Sequence, residues 1–199
     1  MNEISPVSRQ RATSQAAEGL PRLAWTLADF ERLIEQGFLN EDDRIELIGG
    51  ELVPMSPKGN RHDLVRDELQ DDIVNRLPRS ARLSSEIGWR PDDKTYLEPD
   101  LIIFPRGYKG ITVPANELIV LIEIAVSSLQ YDLTDKAKIY ARLGVREYWV
   151  VNAKTLETIV HLEPGAAGYG KVSTHAASET VAPLALPALT VSLGALKIG

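Results

Sequence analysis

Residues 117–126 read Glu-Leu-Ile-Val-Leu-Ile-Glu-Ile-Ala-Val, a run in which every residue but two glutamates is apolar. Such a run predicts a strand that is covered on both faces. Residues 146–152, Arg-Glu-Tyr-Trp-Val-Val-Asn, form a second run of this kind. The spacing of apolar residues between them predicts a helix over 132–143, which Gly144 ends. A crossover helix between two neighbouring strands implies that the strands run parallel.

Hairpins are expected before and after this strand–helix–strand segment. Residues 44–48 and 51–54 read as strands joined by a Gly-Gly turn, which predicts an antiparallel hairpin. A second hairpin is expected over 154–163 and 171–175, and the segment 181–199 is expected to pack along the domain edge. A parallel central pair with antiparallel hairpins predicts an α/β fold, in which one mixed sheet has helices on both faces.

Two further helices and two further strands complete the predicted elements. Thr26 is expected to cap a first helix, which ends at Gly37. Strands are predicted over 83–90 and 96–104. A second helix over 62–77 has an apolar stripe with a period of four residues, formed by Val65, Leu69, Ile73 and Leu77.

The first 22 residues form the least regular part of the sequence. They are rich in Ser, Gln, Ala and Arg and show no period, which predicts a flexible tail. Residues 23–199 are expected to form one domain, since a chain of 199 residues is long enough for one hydrophobic core.

Composition excludes several classes of protein. Hydrophobic residues are 44% and charged residues 25% of the chain, as in ordinary globular proteins. There is no cysteine, which excludes disulfide frameworks, thiolate metal sites and cysteine nucleophiles. No apolar run approaches the roughly 20 residues of a membrane span, and the start of the chain lacks a signal-peptide pattern, so a cytoplasmic protein is expected. A net charge of −6 disfavours a passive nucleic-acid coat, but not an enzyme whose metal ion restores local positive charge.

Glu123 is the charged residue inside the first buried strand pattern. An ionised carboxylate there costs several kcal/mol unless it is paired or bound to a metal ion. A buried salt bridge, or a strand edge at which Glu123 reaches solvent, explains the pattern equally well.

Asp100 begins the preceding apolar run, directly after Pro99. Asp100 and Glu123 thus lie on consecutive predicted strands, which can bring their carboxylates within a few ångströms of each other. Two close carboxylates repel unless a cation lies between them, and oxygen ligands suit Mg²⁺ or Mn²⁺. A turn residue at a strand start is the alternative explanation of Asp100.

Lys136 lies four residues after Asp132, so both lie on one face of the predicted helix. A solvated ion pair is the simpler explanation. The other is that Lys136 points back to the two carboxylates, where a fixed cation would hold an attacking water or stabilise charge on a phosphate.

These residues carry a family resemblance. A Pro-Asp pair, an acid in an apolar strand and a following lysine resemble the PD-(D/E)XK nuclease superfamily. More specific motifs resemble the Uma2 family of restriction-endonuclease-like proteins, from about Trp25 to the C-terminus. These motifs are Ile45-Glu-Leu-Ile-Gly-Gly-Glu51, Met55-Ser-Pro followed by His62, Glu98-Pro-Asp100, Asp132-x-x-x-Lys136-x-x-x-Tyr140 and Gly144-Val-Arg-Glu-Tyr-Trp149.

The resemblance implies a restriction-endonuclease-like fold, a mixed β-sheet flanked by helices with an N-terminal hairpin and a C-terminal β-hairpin. It also implies a Mg²⁺- or Mn²⁺-dependent endonuclease that hydrolyses phosphodiester bonds in DNA. Carried over to this sequence, it makes Asp100 and Glu123 metal ligands and Lys136 the catalytic lysine. Because nucleases of this fold often cut both strands as dimers, it also implies a homodimer, with the C-terminal segment as a candidate interface.

Three accessory residues follow from the same resemblance. Glu46 would be an acid near the metal ion, His62 would contact the substrate or the acid cluster, and Asp132 would orient Lys136. A solvent-facing strand residue and a surface residue at a helix start explain Glu46 and His62 equally well.

The sequence departs from the superfamily pattern at one position. The lysine usually lies two residues after the acid, where this chain has Ala125. The resemblance implies that Lys136 takes its place in space, with Lys138 as the second candidate. Ala125 and the acidic net charge also fit a catalytically inactive module that binds nucleic acid or protein, and a phosphohydrolase acting on RNA or nucleotides is a third hypothesis.

The remaining candidates favour structural roles. His161 and His175 fall in the C-terminal hairpin and are expected at the surface, whereas Tyr148 and Trp149 are expected in the core. The chain has no G-x-S-x-G elbow and no phosphate-binding G-x-x-x-x-G-K-[ST] loop, which argues against a serine hydrolase and a nucleotide-driven motor.

Overall fold

The structure is a computed structural model and describes residues 13–15, 21–40 and 43–198. The chain forms two compact units, which are Met1–Met55 with Asp92–Tyr96, and Ser56–Pro91 with Leu97–Gly199. None of the helices in the described ranges is long and apolar enough to cross a membrane.

The first unit contains two antiparallel hairpins. Strand β1 (Thr13–Gln15) pairs with β2 (Pro21–Leu23), and the other residues of the predicted tail, 1–12 and 16–20, lie outside the described part. Strands β3 (Ile45–Ile48) and β4 (Glu51–Pro54) form the predicted N-terminal hairpin.

Helix α1 (Leu27–Glu35) begins at a capping box. The side chains of Thr26 and Asp29 each accept a hydrogen bond from the backbone N–H of the other residue, as the sequence at the helix start predicts. The turn between β3 and β4 requires glycine, because Gly50 has a φ of 91° and a Cβ there would lie 2.8 Å from the Cβ of Ala24.

The remaining elements follow in chain order. They are α2 (Asn60–Val74), β5 (Ala81–Ser85), β6 (Trp89–Asp92), β7 (Thr95–Leu97), β8 (Leu101–Pro105), 3₁₀ turns at Gly110–Thr112 and Ala115–Glu117, β9 (Val120–Ala125), α3 (Leu129–Tyr131), a π-helical turn (Asp132–Lys136), α4 (Ala137–Leu143), β10 (Glu147–Asn152), β11 (Thr158–Gly165), β12 (Gly168–His175) and a 3₁₀ turn at Leu193–Ala195.

The second unit is built on a six-stranded mixed sheet with the order β12-β11-β10-β9-β8-β5. Strands β9 and β10 run parallel, which confirms the predicted crossover. The other neighbouring pairs are antiparallel. The strands β11 and β12 form the predicted C-terminal hairpin. The turn between them is shorter than expected, because the paired strands extend to Gly165 and Gly168.

Two expectations about the strands are wrong in detail. The predicted strand over 83–90 is two strands, β5 and β6, which belong to different sheets. The predicted strand over 96–104 is two strands, β7 and β8, and they belong to different sheets. The sequence Glu98-Pro99 separates them, since proline has no N–H to donate to a ladder. A four-stranded sheet has the order β4-β3-β7-β6. The expectation of a single sheet is therefore corrected to a six-stranded and a four-stranded sheet, beside the two-stranded β1–β2 sheet.

The core of the second unit lies between α2 and the six-stranded sheet. Val65, Leu69 and Ile73 are fully buried, as the predicted stripe requires, and belong to one cluster with residues of β8 to β11. The C-terminal segment joins this cluster through Val181, Leu189, Val191 and Leu193.

The crossover helix starts earlier than the sequence pattern predicts and contains an irregular turn. α3, the π-helical turn and α4 follow one another without a break from Leu129 to Leu143. Gly144 ends the helix with a left-handed φ of 89°, as predicted. π-turns of this kind often occur at functional sites.

Candidate active site

The adjacent strands β8 and β9 place Asp100 and Glu123 at opposed positions. Leu101 pairs with Ile122, so extending the antiparallel register by one residue sets Asp100 against Glu123. Both side chains are buried, with 2% and 4% of their surface exposed. An Asp100 side-chain oxygen, Oδ2, accepts a hydrogen bond of 2.7 Å from the backbone N–H of Ile124, the residue after Glu123.

The carboxylate of Asp100 is held by two basic side chains. Nζ of Lys58 donates to Oδ1 at 2.7 Å, and Nε2 of His62 lies 3.0 Å from Oδ2. Burial raises the pKa of Asp100, but the bonds from His62 and Lys58 outweigh it and hold the pKa well below its ordinary value. Asp100 is therefore an anion at neutral pH.

The carboxylate of Glu123 is held from the crossover helix. Nζ of Lys136 donates to Oε1 at 2.8 Å, and the hydroxyl of Tyr140 donates to the same oxygen at 2.6 Å. Lys136 and Tyr140 are four residues apart, so one helix face presents both groups to β9. The structure thus brings Lys136 to Glu123, whereas Lys138 is exposed and lines a groove toward the β11–β12 hairpin.

The π-helical turn carries Asp132 into the same region. Asp132 is 3% exposed; its Oδ2 accepts a bond of 2.6 Å from the Ser128 hydroxyl, and its carbonyl accepts one of 3.1 Å from the Tyr148 hydroxyl. Burial raises the pKa of Tyr148 well above its ordinary value, and the nearby charges of Glu123, Asp132 and Asp100 raise it further. The buried Tyr148 ring therefore lies within the field of all three carboxylates.

Two residues at this site, Lys58 and Glu86, were not predicted from the sequence. Nζ of Lys58 also lies 2.7 Å from Oε1 of Glu86, which follows β5. Burial lowers the pKa of Lys58, but the Asp100 and Glu86 carboxylates raise it above its ordinary value. Lys58 lies in a loop and Glu86 directly follows a strand. Neither residue therefore interrupts a periodic run of apolar residues, which is the pattern that would single it out in the sequence. The only available signal is the position of Lys58 between the Met-Ser-Pro motif and His62.

The other predicted residues are placed as follows. Glu46 is buried in β3 and belongs to the first unit, so its solvent-facing alternative is wrong. His62 is also buried, at the first turn of α2, which overturns its surface alternative. Tyr148 and Trp149 are core residues as predicted.

The surface expectation for His161 is wrong. The residue is 3% exposed, and its ring packs against those of Tyr148 and Tyr169, at centroid distances of 5.2 and 5.5 Å. Burial lowers its pKa, an effect that the nearby backbone of Tyr148 and Ile159 only partly offsets. Among the described residues, no partner lies at hydrogen-bonding geometry to its Nδ1.

The donor chemistry of the site fits a Mg²⁺ ion. Within the described residues, no three His, Asp or Glu side chains are arranged to hold a metal ion. Mg²⁺ does not require such a cage, because it is commonly bound by one or two carboxylates, with waters and substrate phosphates as its other ligands. The opposed carboxylates of Asp100 and Glu123 provide that smaller set.

Comparison with known proteins agrees with this fold. Residues 27–194 match the model of the Uma2 family, described as "putative restriction endonuclease". The structure is similar to a crystal structure from Anabaena variabilis ATCC 29413 of "a putative nuclease belonging to DUF820", with a TM-score of 0.68 and 17% identity over 85% of this chain and 95% of that chain. No curated protein matches the sequence.

Proposed function

Because the chain belongs to the Uma2 family of restriction-endonuclease-like proteins, we propose that it is a metal-dependent endonuclease that hydrolyses phosphodiester bonds in DNA. One observation carries the proposal: two buried carboxylates, Asp100 and Glu123, are set on opposed positions of adjacent strands, with a lysine 2.8 Å from one of them. Burying two carboxylates costs free energy. Their presence in the core therefore favours a functional role for the pair.

Asp100 and Glu123 are the residues that would hold the metal ion. When bound, Mg²⁺ supplies Lewis-acid activation of a water molecule and neutralises charge on the phosphate. The protein contributes two anionic oxygens in a water-poor setting, where their electrostatic interactions are stronger than in bulk water. The Ile124 N–H and His62 fix Oδ2 of Asp100, so an ion would bind at Oδ1, where it would compete with Lys58.

Lys136 and Tyr140 support the chemistry from the helix side. Lys136 presents a fixed cation next to Glu123, where it can orient a water molecule or stabilise negative charge that develops on the phosphate. Tyr140 donates to the same oxygen and so fixes the direction of the Glu123 carboxylate. Asp132 and His62 are proposed as accessory residues.

The test is cleavage of plasmid DNA by the full chain with and without Mg²⁺. Asp100→Asn and Glu123→Gln are expected to lower the rate by at least about 100-fold, the size expected when a group that stabilises transition-state charge is removed. Glu147→Gln is the matched control, because Glu147 is a buried acid on the neighbouring strand β10 that bonds Trp149 and Leu184 instead. Wild-type activity in Asp100→Asn would refute the ligand assignment.

A second function is favoured by a specific observation. Asp100 and Glu123 each already have a lysine at 2.7 or 2.8 Å, as a catalytically inactive module of this fold would have. Calorimetric titration with Mn²⁺ separates the two functions, because the inactive module binds no ion. Offering DNA, RNA and nucleotides side by side separates the endonuclease from a phosphohydrolase.

A homodimer is proposed on the precedent of nucleases of this fold that cut both strands of DNA. Leu184 in the C-terminal segment is 70% exposed, which supports this segment as the interface. Sedimentation of the wild type and of Leu184→Ser tests it, because a dimer that uses this surface is weakened by the polar side chain.

A further inference from the structure

Asp100 is one of six charged or titratable side chains that form a closed ring. Going outward on one side, Nζ of Lys58 bridges Asp100 and Glu86, at 2.7 Å from an oxygen of each. Nη1 of Arg66 then lies 2.6 Å from the same oxygen of Glu86 and 3.3 Å from Asp63.

His62 closes the ring. Its Nδ1 lies 3.2 Å from Oδ1 of Asp63, and its Nε2 lies 3.0 Å from Oδ2 of Asp100. Acidic and basic groups therefore alternate all the way round, and each acid in the ring faces two basic groups.

The two oxygens of Asp100 differ in how firmly they are held. Oδ2 is bonded by His62 and by the backbone of Ile124, which belong to α2 and β9. Oδ1 is bonded by Lys58, which lies in the loop before α2 and whose side chain is 16% exposed. Exchange of a cation is therefore easiest at Oδ1.

Glu86 is a second, fixed partner for Lys58. Arg66 anchors its carboxylate, and its backbone N–H donates to the carbonyl of Asp100 at 3.1 Å. Its φ of 48° is left-handed, a conformation that costs free energy in a residue other than glycine. Lys58 can leave Asp100 and keep a counter-ion.

We infer that Lys58 is an exchangeable counter-ion that occupies Oδ1 of Asp100 in the ion-free protein, and that binding of a divalent cation moves its ammonium group onto Glu86 alone. The inference rests on the proposed function, in which Asp100 and Glu123 bind the cation. Lys58 is then a positioning residue. It orients Asp100 before the cation arrives, and it sets the affinity by competing for the same oxygen.

The test is Mn²⁺ binding to the full chain, measured from the free Mn²⁺ signal in electron paramagnetic resonance. Lys58→Gln removes the ammonium group that competes for Oδ1 of Asp100 and is expected to tighten Mn²⁺ binding about tenfold, whereas loss of a group that only supports a metal ligand weakens binding by about 10–100-fold. Lys171→Gln makes the same charge change on β12, at the opposite side of the sheet order from β8, and is expected to leave the affinity unchanged. Weaker or unchanged binding by Lys58→Gln overturns the inference.

A second substitution distinguishes exchange from simple repulsion between charges. Glu86→Gln removes the place to which Lys58 moves, so it is expected to weaken Mn²⁺ binding several-fold in the wild type but to have little effect in the Lys58→Gln background. Exchange therefore predicts non-additive effects, which a double-mutant cycle measures. Additive effects overturn it. Thermal unfolding of each variant shows that it is folded.

Failure of the proposed function gives a different result. If the wild type and Asp100→Asn bind Mn²⁺ equally well, the ligand assignment fails, and with it the inference. If Asp100→Asn abolishes binding while Lys58→Gln leaves it unchanged, the assignment stands and only the role of Lys58 is refuted.

Discussion

At the scale of single residues, two lysines of one helix allow the catalytic role to be tested. Lys136 bonds Glu123, whereas Lys138 lies two residues on and is exposed. Lys136→Ala is expected to lower the rate of Mg²⁺-dependent DNA cleavage by about 100-fold or more, as for loss of a preorganised cation. Lys138→Ala is expected to cleave at the wild-type rate. A larger effect of Lys138→Ala in the same plasmid assay would reverse the assignment.

The burial of His161 predicts how the stability of the folded protein changes with pH. In the unfolded chain histidine takes up a proton near pH 6.5, whereas burial lowers the pKa of folded His161. Below pH 6.5 the unfolded state therefore binds more protons, and this residue makes the protein less stable as the pH falls.

His161→Phe keeps a ring beside Tyr148 and Tyr169 but cannot titrate. The unfolding free energies of wild type and variant are measured in urea from pH 7.5 to pH 5. As the pH falls, the variant is expected to become more stable relative to the wild type. A pH-independent difference would show that His161 ionises equally well when buried.

Some site residues could be predicted from sequence and others could not, for a physical reason. Glu123 is conspicuous because a charge interrupts an apolar strand, and Asp100 because it begins the next one. Lys58 has no such contrast, since a lysine in a polar loop is unremarkable until the fold brings it to a residue 42 positions away. The burial of His161 is equally hidden, because its neighbours in space belong to β10 and β12.

At the scale of elements, the apolar stripe of α2 places His62 at the site. Leu69 is fully buried on this helix, whereas Leu64 is 47% exposed. Leu69→Ala is expected to lower the unfolding free energy by about 2–5 kcal/mol, and Leu64→Ala by about 0.5 kcal/mol or less. Urea titration of the two variants checks this, and equal effects would mean that α2 does not pack by the predicted face.

The elements that were predicted well are those with a strong period. The α2 stripe, the capped α1 and the buried pair β9 and β10 each bury an apolar face that local sequence can specify. The π-helical turn was not predicted, because it depends on how Asp132 and Lys136 pack against the sheet. The break between β7 and β8 depends likewise on which partner strand is present on each side of Pro99.

At the scale of the whole molecule, the fold class follows from the order of elements more than from any one of them. A buried strand, a crossover helix and a second buried strand leave few topologies, and the observed mixed sheet is among them. The division between two sheets did not follow, because it rests on pairing between short strands far apart in sequence, such as β3 and β7.

Under the proposed function, the net charge of −6 makes DNA binding itself dependent on the metal ion. An acidic protein repels the phosphate backbone, and the carboxylates of Asp100 and Glu123 add to this repulsion at the site. A divalent ion held by these two carboxylates would cancel their combined charge. The Lys136→Ala variant, in which cleavage is expected to be slow, allows binding to be measured with Mg²⁺ present.

Fluorescence anisotropy of labelled duplex DNA is expected to show binding about tenfold tighter in Mg²⁺ than in EDTA. The two buffers have the same ionic strength, so a difference in salt screening cannot cause this change in affinity. Adding Asp100→Asn to this variant is expected to abolish the effect of Mg²⁺, since the ion is held at that residue. Equal affinity in EDTA and Mg²⁺ would mean that DNA is bound by a surface remote from the two carboxylates, and the acidic charge of the chain would then have to be offset elsewhere.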